Sequence, residues 1–93
     1  MSDVIVTHNS EKNRYDGTID GKSVGFIDYV PKGDVVELPH TEVNPDFEGQ
    51  GVGSQLVRGT LDHLRAIGKK VEPSCPFVSG WMDKHEDYQD LRA

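Results

Sequence analysis

Apolar and polar residues alternate through the first half of this chain, and then the period changes. The run DVIVTHN is short and β-branched, and NRYDGTIDGKSVGFIDYV carries two more alternating stretches around Asp20-Gly21, a strong hairpin signal. PKGD reads as a turn and VVELPHTEV as a fourth strand, Val35 to Val43. Pro39 lies inside that strand and removes a ladder donor, which predicts an edge, a bulge or a place where the strand parts from its neighbour. From Val52 the period is 3.6: Val52, Leu56, Val57, Leu61, Leu64 and Ile67 share one side of a helix, while Arg58, Asp62 and Arg65 face away. Gly68 supplies the stop, and Lys69 and Lys70 suit the negative end of the helix dipole. KKVEPSCPFV reads as a short fifth strand ended by Pro73 and Pro76, and GWMDKHEDYQDLRA as a short, weakly amphipathic helix. Four strands, helix, strand, helix is an α+β order, with the long helix crossing from strand four to strand five. The fifth strand is expected at the sheet edge, open to pairing between chains.

Composition narrows what such a domain does. Ninety-three residues make one domain, and the ordered apolar blocks argue for a globular chain despite a hydrophobic fraction of 34% and a mean hydropathy of −0.58. No apolar run reaches membrane-spanning length and the start lacks a signal peptide's pattern, so the expected location is the cytoplasm. A single cysteine, Cys75, excludes an internal disulfide and fits a reducing compartment. The net charge of −6, with Lys and Arg scattered, leaves no footprint for nucleic acid. His8, His63 and His85 show no ligand spacing with one another or with Cys75, so no metal is expected.

The densest signal is FEGQGVGSQL, with Gly49, Gly51 and Gly53 at alternate positions leading into the helix. Glycine is the costliest residue to order, so the cluster marks a special turn or a close approach to the backbone. A P-loop is excluded because no lysine stands in the loop. A dinucleotide fingerprint fits poorly: from Gly49 the third position is Ser54, and the preceding strands form hairpins. A helix N-terminus remains, where unpaired N–H groups and the dipole favour an anion such as a pyrophosphate. Gln50, Gly51, Val52, Gly53 and Ser54 form the expected cradle, with the Ser54 hydroxyl as an added donor. The other reading is a tight turn without ligand, for which one glycine suffices.

GQGVGSQL at a helix start, after a strand of form VVELPHTEV, resembles the acetyl-CoA-binding segment of the GCN5-related N-acetyltransferases. Gly51 and Gly53 match the small positions of that family's Gln/Arg-x-x-Gly-x-Gly/Ala loop. Glu48 stands where Gln or Arg is usual, so the backbone rather than this side chain carries the expected contact. The resemblance is strongest to very short N-acetyltransferase-like members that share HTEV at residues 40–43, the glycine loop, K-V-x-P-x-C-P-F-V at residues 70–78 and the ending HEDYQDL. It covers nearly the whole chain. It implies a mostly antiparallel sheet of about five strands splayed between strands four and five. Pantetheine is expected in the split, pairing with strand-four backbone at Glu42, Val43 and Asn44. Fuller relatives cover the acceptor with N-terminal helices for which this chain is too short, so its acceptor site is expected to be open or completed by another molecule.

Acetyl transfer to an amine needs a neutral nucleophile, removal of its proton and polarisation of the thioester. His40 is the first candidate base; by simple alternation it shares a strand face with Leu38 and Glu42, unless Pro39 bulges the strand. Glu42 is placed to orient His40 or to act through water. Cys75 is the second candidate, either as a nucleophile that relays the acetyl group or as a small buried hydrophobe. Phe77, Trp81 and Tyr88 read as core or lid, with Tyr88 a remote candidate to protonate departing CoA. The leading expectation is an acetyl-CoA-dependent N-acetyltransferase for an unidentified amine. The alternative is a non-catalytic CoA-binding module or acyl-CoA sensor. A redox role for Cys75 is weaker, because no resolving cysteine accompanies it.

Overall fold

A computed structural model describes residues 3–93. Five strands form one sheet in the order β1-β2-β3-β4-β5: β1 Ile5–Asn9, β2 Arg14–Ile19, β3 Lys22–Lys32, β4 Val35–Val43 and β5 Lys70–Glu72. The first four pair antiparallel, and β5 joins β4 in parallel. The crossover is helix α1, Val52–Ala66, and helix α2, Pro76–Asp83, follows β5. The α+β reading and the strand order hold. β2 and β3 meet at Asp20 and Gly21, whose φ values of 51° and 79° suit a two-residue hairpin that follows the sheet twist.

Three boundaries differ from the sequence reading, each for a backbone reason. The fifth strand is three residues long, because Pro73 ends it and Pro76 opens α2 at the first helical turn, where a missing N–H costs nothing. Cys75, Phe77 and Val78 therefore belong to a helix start, not to a strand. The expected C-terminal helix over residues 80–93 is split: Gly80–Asp83 end α2, and Glu86–Leu91 is a 3₁₀ segment that tucks Tyr88 and Leu91 into the core. Ile67, expected on the buried side of α1, is the C-cap and 48% exposed; Thr60 takes a buried place, its hydroxyl donating to the Leu56 carbonyl at 2.8 Å. The helix closes as a Schellman motif: Lys69 N–H reaches the Leu64 carbonyl and Gly68 N–H that of Arg65.

One face of the sheet packs on α1. Tyr15, Ile27, Val36 and Leu38 meet Leu56, Val57, Leu61 and Leu64, and Val78, Trp81 and Met82 of α2 extend the same core. β1 lies close to the helix because position 59 carries no side chain: a Cβ there would stand 2.5 Å from Val6 Cγ2. The outer edge of β5 is partly covered, since Val71 bridges Arg92 and its carbonyl accepts Ala93 N–H. That edge is less open than expected.

Beyond Val6, His8 of β1 joins Tyr15, Tyr29 and His63 in a ring cluster between sheet and helix. His8 Nε2 and Tyr29 Oη are 2.7 Å apart, as are Tyr15 Oη and His63 Nδ1. Burial lowers the His8 pKa and the neighbouring His63 adds to the effect; burial and Tyr29 push Tyr15 up to about 12. A histidine whose folded pKa is depressed stabilises the fold above its unfolded pKa, and the contribution is lost as pH falls through the folded value. Thermal midpoints should accordingly fall as pH drops from neutral through the region below pH ~6.5, and less so in His8→Gln. A His8→Gln variant with an unchanged acid slope counts against the cluster. Packing gives a second test. Gly59→Ala should lower stability by about 1–3 kcal/mol in urea unfolding, against its helix propensity, and Val6→Ala should remove most of that loss.

Candidate functional site

The sheet opens where two strand features coincide. β5 pairs with β4 only through Val35↔Lys70, Val36↔Val71 and Glu37↔Glu72, after which Pro73 turns the chain away. A salt link of Lys32 to Glu37 and Glu72, and a 2.5 Å bond from Ser74 Oγ to Glu37, fix that departure point. The last tie is Cys75 N–H to the Leu38 carbonyl at 2.9 Å. Beyond it β4 runs on without a β5 partner.

At the same place β4 carries an extra residue. Its register against β3 shifts between Asp28↔His40 and Val30↔Glu37, leaving Leu38 and Pro39 opposite Tyr29. Tyr29 N–H donates to the Asn13 carbonyl at 2.9 Å, towards β2, and so needs no acceptor on β4 at the bulge. The bulge inverts the alternation. Val36 and Leu38 point to the core, but beyond the bulge it is Thr41 and Val43 that lie inward, while His40 and Glu42 are exposed. His40 thus leaves the face of Leu38. It keeps Glu42 on its own face, with Nε2 and Oε1 4.0 Å apart.

The backbone follows the same parity. Asn44 N–H donates to the Val24 carbonyl at 2.8 Å. In an antiparallel ladder every second residue then turns its groups to the partner, so Glu42 and Asn44 are engaged with β3, and Thr41 and Val43 face the opening. Of the residues expected to pair, Glu42 and Asn44 thus turn their backbone to β3, and Val43, with Thr41, turns it to the opening. The Asn44 side chain is also occupied, its Oδ1 accepting Asp46 N–H at 3.0 Å. Thr41 went unread in the sequence because its face depends on the bulge at Pro39.

Cys75 is the N-cap of α2 and is buried. Its Sγ lies 3.5 Å from Thr41 Oγ1, and although it makes no full capping bond, the Val78, Phe77 and Thr41 amides point towards it. Burial pushes the thiol up, but the Thr41 hydroxyl and these amides together outweigh it, and the net pKa is lowered. Cys75 and His40 therefore stand on opposite faces of β4, and neither is placed to activate the other. Tyr88 is also removed from thiol chemistry: its hydroxyl donates to Asp62 at 2.7 Å and receives Arg58 at 3.3 Å.

A groove of about 410 Å³ continues from Val43 past Phe47 to the glycine loop and Phe77. Gly49 and Gly51 have φ of 81° and 75°, left-handed backbone that side chains rarely adopt. Gly53 answers to space instead: a Cβ there would stand 2.7 Å from the tip of the Phe77 ring. All three glycines thus have internal reasons, and their number alone does not demand a ligand. The donors make a separate observation. Gly51 caps α1 without a side-chain bond, and the first paired amide is that of Gln55, on the Gly51 carbonyl at 3.1 Å. Among the described residues no protein acceptor takes the amides of Gln50, Gly51, Val52, Gly53 or Ser54. The Ser54 hydroxyl accepts Trp81 Nε1 at 2.8 Å and keeps its own proton to give.

The sequence profile of the GCN5-related N-acetyltransferase family matches residues 14–91. The chain belongs to this family. An uncharacterized N-acetyltransferase of Methanocaldococcus jannaschii is 30% identical over 60 residues, 57% of this chain but only 26% of that longer protein. Protein NATD1 of Xenopus tropicalis is 24% identical over 87 residues, covering 90% of this chain and 79% of that one. A GCN5-like protein from Staphylococcus aureus, solved in solution by NMR, aligns with the whole chain and 91% of its own at a TM-score of 0.73 and 25% identity. The free amides and the shape of the glycine loop fit the acyl-CoA cosubstrate that this family uses in general. The thiol's surroundings give a direct check: alkylation of Cys75 by iodoacetamide should titrate below the usual thiol range, and Thr41→Val should move the midpoint up. An unchanged midpoint in Thr41→Val would remove the hydroxyl from the account.

Proposed function

We propose that the protein is an acetyl-CoA-dependent N-acetyltransferase acting on an amine whose identity is open. The observation that carries the reading is one continuous path: β4 backbone at Thr41 and Val43 with no strand partner, the Thr41 amide turned to the Cys75 thiol, then a groove, and five free amides at its far end. In it the amides of residues 50–54 hold the pyrophosphate, where a helix N-terminus is most favourable to an anion. Pantetheine adds to β4 as a strand would, through the backbone of Thr41 and Val43. This sets the thioester near the bulge, between Cys75 on the inner side and His40 on the outer.

Two chemical routes remain from there. In the relay, Cys75 Sγ attacks the acetyl carbonyl, the bond from that carbon to CoA sulfur breaks, and CoA leaves as the thiolate. The amine nitrogen then attacks the acetyl-cysteine, the carbon–Sγ bond breaks, and the ammonium proton passes to the departing sulfur or to water. In the direct route the amine attacks the acetyl carbonyl of acetyl-CoA, the carbon–sulfur bond breaks with CoA leaving as the thiolate, and His40 accepts the amine's proton on the exposed face. The lowered thiol pKa supports the first, and the open setting of His40 supports an acceptor reaching the second.

Calorimetric titration with acetyl-CoA should give a dissociation constant on the order of micromolar. Gly51→Glu should abolish it, and Gly51→Asn, which tolerates the left-handed backbone, should largely keep it. No heat and no thermal stabilisation at millimolar cofactor sink the reading. Transfer to a panel of amines then separates the routes: loss in Cys75→Ala with an acetyl adduct on wild-type Cys75 marks the relay, and loss in His40→Ala alone marks direct attack. Binding with no transfer to any amine identifies a non-catalytic acyl-CoA-binding module.

A further inference from the structure

A second cavity, about 330 Å³, adjoins the cofactor groove across the Phe77 ring, and the two share Ser54 and Phe77 as walls. Its other lining comes from one face of α2, Pro76, Gly80 and Trp81, with Lys84 at the rim. We propose that this cavity receives the adenosine 3′-phosphate end of the cosubstrate, the purine lying over Gly80 against Phe77 and the phosphate beside Lys84. The proposal rests on the cofactor reading above and extends it to a part of the ligand that the glycine loop cannot reach.

Gly80 is the first support. It sits inside α2, where glycine is the poorest residue short of proline, yet its φ is not positive and an added Cβ would meet nothing within 4 Å. Nothing in the fold accounts for it. An aromatic ring lying flat on the helix at this point does, because any side chain would fill the floor of the cavity. Phe77 is the second. It is 47% exposed on the wall common to both cavities, an apolar face of the size a purine covers. Lys84 is the third, a cation with no ion pair among the described residues and next to a groove whose own charged side chain is Glu48. The carbonyl end of α2, which would repel a phosphate, is already covered: Ser79 accepts Arg92, and Trp81 accepts both Lys84 N–H and His85 Nδ1.

The test compares CoA with 3′-dephospho-CoA by calorimetry on the full chain. Wild type should bind CoA about threefold to fivefold more tightly, as a solvent-facing ion pair allows. Lys84→Ala should erase that preference while leaving the affinity for dephospho-CoA unchanged. Gly80→Leu should weaken both ligands without lowering the thermal midpoint, which separates a filled cavity from a damaged helix. Equal binding of CoA and dephospho-CoA by wild type overturns the proposal and leaves the loop reading intact. So does a preference that survives Lys84→Ala, or Gly80→Leu binding as wild type does. Absence of binding by both ligands overturns the loop reading and this proposal together.

Discussion

A proline has no hydrogen to give a ladder, and two prolines decide where this sheet ceases to be closed. Pro39 takes the outer position of a bulge on β4, and Pro73 ends β5 directly after Glu72. The two strands therefore part at one level, and everything placed for chemistry depends on that level. The opening leaves Thr41 and Val43 backbone without a strand partner, lets Cys75 cap α2 against Thr41, and sends His40 to the solvent face. Without the extra residue at Pro39, the inner and outer side chains of β4 beyond it would change places.

Much of this was written in local sequence, and what escaped reading was parity and boundary. Strand order, the Asp20-Gly21 hairpin, the crossover helix and its Gly68 stop follow from short-range chemistry that tertiary packing had no reason to override. Pro39 announced an irregularity, but not that the register would shift by one and carry Thr41 inward. Pro76 gave a helix-start signal that a strand reading of KKVEPSCPFV passed over. The 3₁₀ form of Glu86–Leu91 depends on long-range partners, among them the Arg65 fork on Asp90 and the Tyr88 bond to Asp62, which no local pattern encodes. The glycine loop does open α1, but its glycines have structural causes. Its three glycines were counted as more than a turn requires, whereas two satisfy left-handed backbone and the third makes room for Phe77.

Phe77 links these parts. Its backbone amide faces the Cys75 thiol, and its ring presses on Gly53 at the mouth of the helix. One residue at the start of α2 thus touches both ends of the groove that α1 and β4 enclose. Trp81, a turn further on, ties the same helix to Ser54 by its indole N–H. The glycine loop is consequently held by α2 and not only by its own conformation, so disturbance of α2 is transmitted to the free amides without any change in the loop sequence.

A net charge of −6 looks ill suited to a polyanionic cosubstrate. The objection weakens once the donors are identified. Peptide N–H groups at a helix end carry fixed partial charge that no pH change removes, and they act at hydrogen-bond distance, where direction matters more than the field of the whole molecule. Glu48 stands at the rim of the groove, but it borders amides whose dipoles point at the same space from much closer range. On the function proposed above, the acidic surface would act at long range on the amine. An amine is a cation in neutral solution, attracted by the negative molecule as it approaches, and it must lose its proton before it can attack. On that proposed function the two tasks would divide by distance: side-chain carboxylates, spread over the surface, would attract a cation from afar, and backbone amides gathered at one helix end would hold an anion at contact.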